Sequence, residues 1–396
     1  MARTIPLDRY RNIGILARLD AGRTTVTERI LAVTDRPDPA AEGARAALGL
    51  PAWVEQDNER QITLTSAATS CVWQDCRITI VELSAAGRKG GDRALGVLDG
   101  AVLVIDGAVA VTDGVAALFE DTDAQGLARL VFVNKLDREG ADLFAVVAAI
   151  AARGTAKPVL LQLPIGAGAG LRGIVDLVEM RATLWRDAGH DALAEEVEIP
   201  ADLLAAAEAA RAEIGLAVGE TGTDVAMLRQ AVKKAVRSGS IVPVLCGSAF
   251  RNRGVRRLLD AVVDYLPAPS DLAAHAGVAA DGNRVERRPA DDEPFSGVAF
   301  QTVDDPMAGR LTFVRIYSGV VATGGNMLNS VTASPEKIGR MVRMHANHTE
   351  EIKEARAGDI IALAGLEHTT TGDTLCDPDA PVILGRMPAT AGRAKH

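Results

Sequence analysis

Residues 12–25 read NIGILARLDAGRTT, and TVTERILAVT follows over 25–34. A short apolar run closes in a loop of small residues, and a segment with helical apolar spacing comes next. Strand, tight loop and helix in that order suit a phosphate-binding loop, in which backbone N–H groups and a helix N-terminus face anionic oxygens. Ala17 holds the opening small-residue position, and Ala21 and Gly22 keep the turn narrow. Asp20, Ala21, Gly22, Arg23, Thr24 and Thr25 are the candidate phosphate-binding residues, with the Thr24 hydroxyl available to Mg²⁺. Arg23 departs from the pattern, which has a lysine there. A guanidinium keeps the charge but is a larger, planar fork, and the two cations are not interchangeable at a close-fitting site. Taken alone, the loop fits equally well a glycine-containing strand–helix turn with a surface arginine.

Further along, RITIV (77–81), AVLVI (101–105) and LVFVN (130–134) read as β-branched strands, with alanine-rich helical segments such as 141–152 between or after them. Strands alternating with helices predict a mostly parallel sheet covered on both faces. The third strand runs into Asn134-Lys135-Leu136-Asp137. Ligands of such sheets sit beyond the carboxyl ends of the strands. There the Asp137 carboxylate can accept from guanine N1–H and its exocyclic amine, Asn134 can bond the far edge of the base, and Lys135 can pack along the ring. Four such letters also fit an ordinary polar turn; after a phosphate loop they favour guanine over adenine. Ser248-Ala249-Phe250, after IVPVLCG, would set a small turn against the base.

The texture changes over about 155–240, where LQLPIG and GIVDLV read as strands, a helix opens at Pro200, and another runs near 224–237. These residues read as an insertion. IVPVLC (241–246) returns to buried-strand character, and the helix GVRRLLDAVVDYL follows. A polar stretch rich in turn-formers reads as a linker over 271–293. From 294 to 384 short alternating strands between Gly and Asp turns predict a β-barrel, and 385–396 a tail. Asp99 in VLDG reads as a turn residue capping a strand. Met341, Met344 and His345 read as packing or strand-end residues.

With 43 Lys and Arg against 52 Asp and Glu, the formal net charge of -9 opposes broad electrostatic adhesion to nucleic acid or anionic membrane. Cys71, Cys76, Cys246 and Cys376 lack metal-ligand spacing and read as reduced thiols. Neither a signal-peptide pattern nor a membrane-spanning apolar run stands out, so the expected location is the cytoplasm.

RNIGILARLDAGRTTVTERIL, VFVNKLDREGADL, PVLCGSAFRNRGVRRLLDAVVDYLPAPSD and AGDIIALAGLEHTTTGDTLCD resemble bacterial elongation factor G, a family of translational GTPases. PVLCGSAF, MHANH and the insertion fit that family rather than elongation factor Tu. The resemblance covers roughly residues 10–384. It implies an α/β P-loop GTPase domain at 1–270 with an inserted α+β subdomain, then an all-β barrel domain. It implies GTP or GDP with Mg²⁺ as cofactors, the ribosome as partner through ribosomal RNA and stalk proteins, no membrane, and a monomer.

The chain departs from that family in four places. Arg23 replaces the loop lysine. Switch one reads Arg60-Gln61-Ile62-Thr63, where Gln61 replaces a glycine and Thr63 remains to reach Mg²⁺. The family's Asp-Thr-Pro-Gly-His, whose Asp holds Mg²⁺ through water and whose His positions the attacking water, is replaced by Glu82-Leu83-Ser84-Ala85-Ala86. The family also continues into three more domains, so translocation by its mechanism is not expected. A misplaced loop cation costs roughly 1.5–3 kcal/mol, about ten- to a hundredfold in binding. Catalysis is more exposed, because phosphoryl transfer rests on positioning and charge stabilisation. No catalytic residue is assigned. Three readings stand: a ribosome-stimulated GTPase, a guanine-nucleotide binder with impaired hydrolysis, and a decayed copy without a role. The second is the expectation.

Overall fold

The computed structural model describes residues 3–34, 68–83, 94–153, 157–186, 194–222, 224–305, 309–345 and 348–385. Thr63 with the rest of switch one, Ser84–Ala86, the stretch GRKGGDR (87–93) and the tail from 386 lie outside the described residues, as does the side chain of Glu82.

The first domain is built on β1 (Tyr10–Ala17), β2 (Ala68–Trp73), β3 (Cys76–Glu82), β4 (Gly100–Asp106), β5 (Ala128–Asn134), β6 (Lys157–Leu160) and, after the insertion, β11 (Ile241–Cys246). Their order across the sheet is β2-β3-β1-β4-β5-β11-β6. All neighbours run parallel except β2, which pairs antiparallel with β3. Period-2 alternation divides the apolar residues between two cores. Ile13, Ile15, Ile80, Val104 and Phe132 meet Val26 and Ile30 of α1 (Arg23–Thr34) on one face. Leu16, Val81, Leu103 and Val131 meet Leu118 and Phe119 of α2 (Asp113–Ala124) and Val146 and Ile150 of α3 (Leu143–Ala151) on the other. Strands buried on both faces lose the polar half of their alternation, which is why they read as near-continuous apolar runs.

The insertion holds the antiparallel sheet β7 (Gln162–Ile165), β8 (Gly173–Asp176), β9 (Arg181–Trp185), β10 (Ala194–Val197), with helices α4 (Ala201–Val218) and α5 (Val225–Arg237). Its expected start near 155 falls too early. Residues 157–160 form β6, the edge strand of the main sheet, paired in parallel with β11. Helix α6 (Val255–Tyr265) then packs on the first core through Leu258, Leu259 and Val262.

The stretch read as a linker is structured. It holds β12 (His275–Ala279) and β13 (Arg284–Arg287), a hairpin turning at Gly282. Its other partner is β24 (Val382–Leu384), about a hundred residues downstream, so no local pattern announces it. Between these lie β14 (Ser296–Asp305), β15 (Gly309–Ser318), β16 (Val320–Ala322), β17 (Asn326–Asn329), β18 (Ser334–Lys337), β19 (Met341–His345), β20 (His348–Ile352), β21 (Glu354–Arg356), β22 (Ile360–Ala364) and β23 (Thr374–Cys376). They form the antiparallel barrel domain around Ala299, Val314, Ile316, Met327, Met341 and Leu363.

Asp99 is no ordinary turn cap. It immediately precedes β4 and is 4% exposed. Arg315 of β15, 1% exposed, donates through Nη2 to both Asp99 carboxylate oxygens at 2.9 and 3.1 Å. Asn12 of β1 donates to Asp99 Oδ2 at 2.7 Å and to the Gly358 carbonyl of the barrel domain at 3.0 Å. Burial pushes the Asp99 carboxyl up, and the Arg315 charge works against that. Nearby, Tyr317 donates to the Gly96 carbonyl at 3.2 Å and its ring lies 4.1 Å from that of His275. Asp99→Ala leaves Arg315 buried and unpaired, so it lowers stability by about 3–5 kcal/mol in urea denaturation. Replacing both partners, Asp99→Leu with Arg315→Met, recovers most of that loss.

Burial, with help from Arg315, pushes the His275 imidazole down to about 3. Its value in the folded state lies below that in the unfolded chain, so the unfolded chain binds the proton first. The His275 contribution is therefore intact above the free-imidazole range and is lost as pH falls toward 3. The urea midpoint should drop between pH 7 and 4.5, with a shallower drop in His275→Leu.

Candidate nucleotide site

The strand order reverses at β1, whose neighbours are β3 and β4, and the phosphate loop leaves the carboxyl end of β1 at this switch point. Ala21 N–H bonds the Arg18 carbonyl at 3.1 Å, closing a turn, and Val26 N–H bonds the Gly22 carbonyl at 2.9 Å, starting the helix. Asp20 has φ 62° and Gly22 φ 96°. A Cβ on Gly22 would run into Asn134 Nδ2, so this position needs glycine twice over. Thr24 and Thr25 lie half-buried in the first turn of α1.

Asn134 ties the loops together. It ends β5 and is 2% exposed. Its Nδ2 donates to the Ala21 carbonyl and its Oδ1 accepts from Ala249 N–H, both at 2.9 Å. One amide group therefore fixes the phosphate loop and the Ser248-Ala249-Phe250 loop to the same strand end. Lys135, at φ 64°, turns its ammonium onto Asp106 Oδ2 at 2.6 Å and donates to the Asp20 carbonyl. Leu136 N–H bonds the Gly247 carbonyl at 3.0 Å. Ser248 and Ala249 are buried, while Phe250 is 58% exposed, so the small residues form the turn and the aromatic ring faces out. Asp137 pairs with Arg251 Nε at 3.1 Å.

Arg23 is directed elsewhere. Its Nη1 donates to the Leu83 carbonyl just beyond β3, and its buried Nε has no hydrogen-bond partner among the described residues. The loop cation is thus bonded to the backbone just beyond β3. Thr63, the other Mg²⁺ candidate, and the side chain of Glu82, which stands in place of the family's Asp, fall outside the described residues.

The structure joins Asp20, Ala21, Asn134, Lys135 and Ala249 by direct bonds, and holds Asp137 through Arg251. Sequence reasoning missed Asp106 and Arg251. Asp106 had a signal: it ends β4, directly beside Asn134 in the paired strand.

Residues 8–268 match the family model described as Elongation factor Tu GTP binding domain, and residues 309–376 match Elongation factor Tu domain 2. Elongation factor G of Rhodopseudomonas palustris (strain BisB18) is 44% identical over 403 residues, covering 98% of this chain. The chain belongs to the elongation factor GTP-binding family and is a homologue of elongation factor G. It spans 58% of that relative's length. A crystal structure of a protein from Thermus thermophilus superposes with a TM-score of 0.72 at 22% identity, covering 94% of this chain and 54% of that one; it shares the fold. The matched span 8–268 contains residues 20–25, Asn134-Lys135-Leu136-Asp137 and Ser248-Ala249-Phe250. Among the described residues no helix is long and apolar enough to cross a membrane, and no group of three or more His, Cys, Asp or Glu could hold a metal ion.

Gly22→Ala must relieve both the positive φ and the approach to Asn134. It should cost about 1–3 kcal/mol in thermal unfolding. It should also shift the Asn134 side-chain amide resonances, which a distant destabilising substitution would leave in place.

Proposed function

We propose that this elongation factor G relative binds GTP and GDP and has impaired GTP hydrolysis. The observation that carries the binding half is the Asn134 amide, bonded at once to the phosphate loop and to Ala249. A base set between Asp137 and the Ser248-Ala249 turn would have its phosphates at the N-terminus of α1, where loop N–H groups face them. The donor set fits: Gly22 keeps the approach open, and the Thr24 hydroxyl is placed in the first helical turn. Mg²⁺ bound there would neutralise phosphate charge, with Thr24 and Thr63 as its protein ligands. On this reading the partners are guanine nucleotide and the ribosome, and the protein acts as a cytoplasmic monomer.

The impaired half rests on residues 82–86, Glu-Leu-Ser-Ala-Ala, which supply no imidazole to position water. Arg23 adds to this, since its guanidinium is bonded to the Leu83 carbonyl. A positioned proton-accepting or water-orienting group contributes about two to four orders of magnitude in rate. Chemistry therefore suffers far more than affinity.

Two measurements test the proposal. Titration of the protein with fluorescent GDP should give saturable binding well below millimolar, tightened about tenfold by Arg23→Lys. Phosphate release from labelled GTP should not rise on adding 70S ribosomes. Ribosome-stimulated turnover would establish the active GTPase instead. Absence of saturable binding at millimolar nucleotide would overturn the proposal entirely.

A further inference from the structure

We infer that Arg251 is the positioning residue for the Asp137 carboxylate and that it sets discrimination between guanine and hypoxanthine; the inference rests on the guanine-binding reading above. Several links join the end of β5 and the loop after it to the loop after β11. Some start from backbone N–H groups: Gly247 N–H to the Val133 carbonyl, Leu136 N–H to the Gly247 carbonyl and Ala249 N–H to Asn134 Oδ1. Another is the ion pair of Arg251 Nε with Asp137 Oδ2 at 3.1 Å, with side chains 29% and 12% exposed. Of these it is the one that acts on the carboxylate.

Arg251 stands on a fixed base. Its N–H donates to Ser248 Oγ at 3.3 Å. Ser248 and Arg253 exchange backbone hydrogen bonds at 3.0 and 2.9 Å, which close the loop beneath it. Arg253, 4% exposed, donates to the Leu171 carbonyl and lies over the Trp185 ring, tying the same loop to the insertion. An aspartate carboxylate turns freely about its last torsion unless something holds it. It also offers about four lone-pair sites, so a guanidinium on one oxygen leaves room for two donors from a base.

Guanine presents two such donors, N1–H and the exocyclic amine, and both bonds require the carboxylate in one plane. Hypoxanthine lacks the amine and needs only one oxygen. The ratio of GDP to IDP affinity therefore reports carboxylate orientation, while every other contact is shared by the two nucleotides.

The experiment displaces fluorescent GDP from the whole chain with GDP or with IDP, for the unaltered protein, Arg251→Ala and Arg251→Lys. Arg251→Ala should weaken GDP about tenfold and IDP less than about threefold, so that discrimination falls. Arg251→Lys should restore part of the ratio. Equal weakening of both nucleotides, unchanged affinities, or tighter GDP binding in Arg251→Ala would each overturn the inference while leaving guanine binding intact. Failure of the unaltered protein to bind GDP would overturn the inference together with the reading beneath it. A lowered unfolding midpoint in either variant does not confuse the outcome, because the ratio compares two ligands on one protein.

Discussion

The Asp99–Arg315 ion pair is the constraint on which the relation between the two domains depends. Two charges less than a tenth exposed must be paired with each other, since neither has water to turn to. Asp99 enters β4 and Asn12 lies in β1, the two central strands, so the barrel domain grips the sheet at its middle. The grip acts at the amino ends of these strands, and the phosphate loop leaves the carboxyl end of one of them. Tyr317 extends the contact to the Gly96 carbonyl, in the segment that leads into β4. The fit is incomplete: Arg315 Nε and Nη1 and Asn12 Oδ1 are buried and have no hydrogen-bond partner among the described residues. Such a cluster costs free energy of desolvation, and it persists because the surrounding apolar packing holds both domains over it.

The candidate nucleotide site is built mostly from backbone and from one buried amide. Gly22, Ala21 and Gly247 contribute shape, and Asn134 contributes the link. Charged residues form a second layer: Lys135 on Asp106, Arg251 on Asp137 and Arg23 on Leu83. This arrangement explains why an altered loop cation need not abolish the site. The scaffold that shapes it is set by packing and close approach, and Arg23 is bonded to a neighbouring strand end without disturbing the Asn134 bridge.

Much of this was legible in the chain, and the limits have physical causes. The central strands announced themselves because burial on both faces makes them continuously apolar. Asn134-Lys135-Leu136-Asp137 was legible because it stands at a strand end after a phosphate loop. The hairpin at 275–287 was not, because its turn-former composition resembles a linker and its third strand comes from residues 382–384. β2, Ala-Thr-Ser-Cys-Val-Trp, was missed as a strand because Thr69 and Ser70 interrupt its apolar residues. The role of Asp99 was hidden by distance: 216 residues separate it from Arg315, and nothing local distinguishes it from a turn aspartate. Asp106 and Arg251 act on residues that were identified, so only strand order and loop closure could reveal them.

The edges of the main sheet carry a consequence of their own. An open strand edge is a template for a foreign strand. At one edge β2 is met by the barrel domain, where Ser70 pairs with His345 of β19 and Ser70 Oγ donates to the Met344 carbonyl at 2.9 Å. At the other edge β6 has only four residues, Lys-Pro-Val-Leu, and its proline offers no N–H. One border is guarded by a neighbouring domain and the other by brevity and proline. The pairing of β19 with β2 thus joins the two domains and at the same time covers that edge of the folded sheet.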